Sequence, residues 1–169
     1  MTNVFSFIGA VMLISCLAGC AHVGPPADIR ERAGNLTADM EDKILSLDPG
    51  SVTERDVAEL LSLAPAPRII NLNGSIPIIS MTSFSKFLIS MGYPEERVRS
   101  PHGAYSYSSY TDSATLAGMI AWYYENEGMM PMIIGHSQGG MLVIKVLHEF
   151  SGAFNEKITL WNPYTDKPE

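Results

Sequence analysis

Cysteine is nearly absent: the chain of 169 residues has two, Cys16 and Cys20, and both fall among its first twenty positions. From Ala21 onward there is no thiol, which excludes cysteine catalysis, cysteine-ligated zinc and a disulfide from the body of the chain. Histidine is scarce as well. His22, His102, His136 and His148 show no HExxH or other metal spacing, so neither a metal site nor a cofactor is expected. Charged residues make up only 17% of the chain, below the usual share of roughly a quarter. No basic run occurs, and 18 acids against 11 bases leave a net charge of −7. That balance disfavours a grip on phosphate backbones, so nucleic acid is not an expected partner. Hydrophobic residues, at 46%, suffice for one buried core, and the length suits about one domain.

Charge is missing altogether from Met1 to Gly19, and Val4 to Ala18 is nearly all apolar. A spanning helix needs roughly 20 apolar residues, whereas a secretory signal has a core of about 7 to 15 that gives way to small residues. The run ends in Leu17-Ala18-Gly19-Cys20, which resembles the lipobox of bacterial lipoproteins. The resemblance implies a signal peptide over 1–19, cleavage before Cys20, and acylation of its thiol as a membrane anchor. Ala21, rather than Asp, after the cysteine implies sorting to the outer membrane, facing the periplasm. The Lys or Arg usual near the start of such signals is absent here.

Residues 20–36 contain Gly24-Pro25-Pro26 and little periodicity, as a linker would. An N-terminal helical segment is expected over 37–63. Thr37 caps a first helix with Met40, Ile44 and Leu47 on one face, and Ser51 with Glu54 forms a capping box for a second that carries Val57, Leu60 and Leu61. Ala64-Pro65-Ala66-Pro67 ends it. Short strands then alternate with amphipathic helices: a strand over 68–72, a helix through Phe84, Phe87, Leu88 and Met91, a weaker strand at 97–99, and a loop over 101–110. A helix capped by Thr111 or Asp112, a strand over 130–134, a helix through Val143, Val146, Leu147 and Phe150, and a last strand over 157–161 complete the series. This alternation predicts an α/β fold with a mostly parallel sheet.

Gly135-His136-Ser137-Gln138-Gly139-Gly140 stands between the most apolar strand and a strongly amphipathic helix. That is the setting of a nucleophile elbow, in which glycines two residues to either side make room for a strained serine. The hydroxyl of Ser137 would then stand at a helix N-terminus, where amides favour a developing oxyanion. The string resembles the elbow of esterases and lipases of the α/β-hydrolase fold, over roughly 68–163. The resemblance implies a three-layer sandwich, with Ser137 as nucleophile and the Gln138 amide as one oxyanion donor. The second donor would come from the loop Asn73-Gly74-Ser75, where Ser75 is the candidate, although the family's usual His-Gly is missing there.

In that family the acid and then the histidine come after the serine. Here the one histidine after Ser137 is His148, on the helix that leaves the elbow. Residues 64–169 therefore read as an incomplete α/β-hydrolase domain, its C-terminal strands and helices missing, at the start of a longer enzyme. Asp166, and after it Glu169, are the candidate acids. His136 is expected to point away from the site. His102, in a loop with Tyr105, Tyr107 and Tyr110, is expected at the same sheet edge as Ser137, either lining an acyl pocket or forming a surface loop. The expected function, in a full-length form, is that of a lipid-anchored serine hydrolase of small-molecule or lipid carboxylic esters; the 169 residues alone, without the family's histidine, are expected to be inactive. The alternatives are an acyltransferase using the same residues, and a non-catalytic envelope lipoprotein that keeps the fold as a binding module.

Overall fold

A computed structural model describes residues 36–76, 79–153 and 157–169. Helix α1 (Ala38–Ser46) starts where the Thr37 hydroxyl accepts from the Met40 amide, and α2 (Glu54–Leu63) starts at a capping box. The box differs from the expected Ser51 and Glu54: Thr53 and Asp56 exchange the two bonds, at 3.2 and 3.0 Å. The shorter Asp reaches back as Glu would. A Lys43–Glu59 ion pair joins the two helices.

Strand β1 (Ile69–Leu72) lies parallel to β2 (Met132–Gly135), with Ile69 opposite Met132 and Leu72 opposite Gly135. Between them in sequence come α3 (Met81–Ser90) and α4 (Ser113–Glu127), and α5 (Gln138–Phe150) comes after β2. The fold class is thus mixed α/β with a parallel sheet. Alternation along β1 divides the core. Ile70 and Leu72 join Leu116, Ile120 and Trp122 of α4 with Leu142 and Val146 of α5. Ile69, on the opposite face, packs with Ala66, Tyr93 and Val98, against Leu61 of α2 and Leu88 and Ile89 of α3.

Two expected strands are absent from the sheet. Residues 95–97 form a short 3-10 helix, because Arg97 is drawn inward to Glu127 at 2.8 Å. The neighbour of β1 on that side is instead the backbone of Tyr107, which donates to the Asn71 carbonyl (2.7 Å) and accepts from the Asn73 amide (2.9 Å). The expected strand over 157–161 shrinks to β3 (Trp161–Asn162), which pairs antiparallel with β4 (Lys167–Pro168). It lies against α4 rather than beside β2. A Cβ on Gly118 of α4 would stand 2.2 Å from the Thr159 carbonyl oxygen, so the two backbones touch. Ile158, Leu160 and Tyr164 cover the outer side of α4, and this helix is accordingly apolar nearly all round. No described helix is long and apolar enough to cross a membrane. The expected signal peptide over 1–19, the lipid-bearing Cys20 and nearly all of the linker lie outside the described residues.

Candidate functional site

The turn from β2 into α5 holds Ser137 at φ 53° and ψ −117°, a region that costs a non-glycine residue of order 1–3 kcal/mol. The surroundings enforce it. A Cβ on Gly135 would lie 2.3 Å from the Gly139 carbonyl, and one on Gly139 would lie 2.6 and 2.7 Å from the Leu72 and Asn73 oxygens. Only hydrogen fits at either place, so the first turn of α5 sits directly on the end of β1. The His136 amide extends the ladder to the Leu72 oxygen (3.1 Å), and the Gly139 and Gly140 amides turn inward to the carbonyls of His136 and Ser137, at 2.8 and 2.9 Å. Ser137 itself is exposed. Among the described residues nothing hydrogen-bonds its hydroxyl.

The loop after β1 closes on this serine. A Cβ on Gly74 would stand 3.4 Å from that of Ser137 and 2.9 Å from His136 Nδ1. Asn73 pins the loop from both sides, accepting from the Met81 amide (2.9 Å) and donating to the Ser106 hydroxyl (3.0 Å). One level down, Asn71 donates to Ser85 (2.6 Å) and Ser85 donates to the Tyr105 carbonyl (2.5 Å). Ser75 and Ser137 come together in one cavity of about 210 Å³, walled by Gly74, Ile76, Ile79 and His136. Gln138 faces the next depression, with Tyr110, Met141 and Lys145. The exposed Ser137 hydroxyl is thus flanked by a loop backbone on one side and the start of a helix on the other.

Three expectations change. His136 does not leave the site: its ring stands beside Gly74 and walls the cavity, with Nδ1 buried and unbonded among the described residues. His102 is exposed and sits at the other end of the strands, in a cavity of about 650 Å³ with Arg68, Glu95, Arg99 and Tyr164. Arg68 precedes β1 whereas Ser137 comes after β2, which separates the two. Of the loop tyrosines, only Tyr110 reaches the surroundings of Ser75. Tyr105 donates to Glu95 at 2.5 Å, and Tyr107 packs against the core.

Asp166 is a hairpin corner. At φ 54° its amide donates to the Asn162 carbonyl (2.9 Å) and its carboxylate accepts from the Trp161 indole (2.9 Å). It is not among the residues lining the cavities beside Ser137. Glu169 latches the chain end to α4, accepting from the Trp122 indole (2.9 Å) and from Asn162 (2.6 Å). His148 is exposed on the last turn of α5.

Sequence reasoning missed the buried ion cluster opposite the elbow. Arg68 binds Glu127 through Nε and a terminal nitrogen, the latter at 2.6 Å, and Arg97 reaches the other carboxylate oxygen at 2.8 Å. All three side chains are buried, and the Arg68 guanidinium lies 4.1 Å from the centre of the Tyr123 ring. Burial pushes the Tyr123 phenol well above its ordinary range. No local signal marks Glu127, which ends α4 in the polar run Glu125-Asn126-Glu127 and differs from its neighbours only in being buried. Among the described residues no three His, Cys, Asp or Glu side chains gather as metal ligands. Compared with protein-family models, curated proteins and solved structures, the chain matches none.

Proposed function

We propose that the chain is a serine hydrolase of carboxylic esters, built on part of an α/β-hydrolase fold and held at the bacterial outer membrane through lipid on Cys20. The observation that carries this reading is the strained, exposed Ser137 between two glycines that admit no side chain. Strain of this kind persists only where the surroundings over-determine it, and a serine so presented suits nucleophilic attack. Its oxygen would bond to the ester carbonyl carbon while the alcohol leaves with a proton. The Gln138 and Ser75 amides would receive the negative oxygen, and water would then release the acid and restore the serine. Transfer of the acyl group to another alcohol would use the same atoms, and only the product would differ.

One observation favours a different class. A serine needs an adjacent base to attack at neutral pH, and no described side chain is bonded to the Ser137 hydroxyl. A non-catalytic envelope lipoprotein that binds ligand in the same cavity fits that fact. Treating the full-length protein with a fluorophosphonate probe separates the two. The hydrolase reading expects labelling that Ser137→Ala abolishes. Labelling that survives the substitution refutes the nucleophile, and no labelling of either protein favours the binding module.

A further inference from the structure

The cavity beside Ser137 has a composition that selects its occupant. Gly74, Ser75, Ile76, Ile79, His136 and Ser137 line it, and none carries a fixed charge. Ile76 and Ile79 are 64% and 54% exposed, large apolar side chains left uncovered next to the reactive group. Isolated exposed isoleucines are ordinary, but a pair that walls one cavity together with Ser137 gives apolar surface for a ligand to cover. The room is about 210 Å³, whereas a cavity of roughly 150 Å³ holds benzene, with its six carbons.

We infer that this cavity takes the unbranched acyl chain of the substrate, about six to eight carbons long, with Ile76 and Ile79 as its walls. The inference rests on the hydrolase reading for the identity of the ligand, and it adds chain-length selectivity set by the segment after β1. A charged or sugar-like acyl group would find no ionic partner there. A long chain would outgrow the cavity and gain little from its further carbons.

Binding of straight-chain 1-alkanols from butanol to dodecanol to the full chain, monitored by the amide signals of Gly74, Ser75 and His136, tests this without needing a competent nucleophile. Affinity is expected to rise about fourfold per methylene up to six to eight carbons and then level off. Ile79→Trp, at an exposed position, is expected to weaken octanol binding at least tenfold, and Ile76→Trp on the neighbouring wall to do likewise. His102→Ala, in the separate cavity at the other end of the strands, is expected to bind octanol as wild type does. Signals that do not move, an affinity independent of chain length or climbing evenly to twelve carbons, or two tryptophan variants that bind like wild type would each overturn the inference. Failure of the hydrolase reading would show separately, as a fluorophosphonate that leaves Ser137 unlabelled while octanol still binds.

Discussion

The two ends of the β1–β2 pair are built on opposite principles. Where the strands begin, Arg68, Arg97 and Glu127 bury two positive charges and one negative among the tyrosines. Where they end, the Ser137 cavity has no charged lining at all and is held by backbone contact, glycine against carbonyl. One end stores electrostatic energy in side chains and the other stores conformational strain in the main chain. The difference teaches where each is tolerated. Buried ions need partners fixed from distant segments, while a strained turn needs only neighbours too close to let it relax.

Removing the carboxylate breaks this comparison most severely. Glu127→Gln leaves two buried guanidinium groups without their shared anion, a change expected to cost about 3–5 kcal/mol. Ser137→Ala, at the exposed end, is expected to stay within about 0.5 kcal/mol of wild type. Urea titrations of the two variants check both values. A Glu127→Gln protein losing less than about 1 kcal/mol would mean that the arginines are solvated and that the two ends do not differ as described.

That contrast also sets what could be read from the chain alone. The elbow was legible because its requirements are local: a strand, a helix and two glycines within five residues, together with caps such as Thr37 and Asp112 whose bonds span three positions. The ion cluster was not, since Arg68 and Glu127 are 59 positions apart and Arg97 and Glu127 are 30 apart. Its pull explains why the residues around Arg97, which resembled a strand, coil into a 3-10 turn. The segment over 157–161 misled for the same reason. Its alternation of apolar and polar residues suits a strand, but an uncovered face of α4 at Gly118 and Trp122 took it as a lid of side chains instead. Period-2 patterning reports which side is buried, not what buries it.

A middle-sized effect sharpens the main-chain half of the comparison. Gly139→Ala would press a methyl group to 2.6 Å from the Leu72 oxygen, whereas Gly140→Ala meets nothing nearer than 3.5 Å. The first is expected to cost about 1–3 kcal/mol through overpacking. The second should be neutral or slightly stabilising, because alanine favours a helix over glycine. Chemical denaturation of the pair measures it. Equal stabilities would show that α5 can lift from β1, and the constraint on Ser137 would then be far weaker than its φ implies.

The smallest effect belongs to the charged end and appears in alkali. Tyr93 is buried, its hydroxyl donates to the Pro67 carbonyl beside Arg68, and burial pushes its phenol up to about 12 against the opposing pull of Arg97 and Arg68. The unfolded phenol ionises near 10. Below about pH 10 both states hold the proton and the contribution of this group is complete; between about 10 and 12 the unfolded chain gives up its proton first, so stability falls as pH rises. Tyr93→Phe is expected to lose about 1 kcal/mol at pH 8, the value of one hydrogen bond. Its stability should then decline less than that of wild type between pH 8 and 11, because Tyr107 and Tyr123 still titrate in both proteins and cancel from the difference. Urea midpoints at the two pH values read it out. Equal declines would mean that Tyr93 reaches water, and that the desolvated region around the arginines stops short of α3.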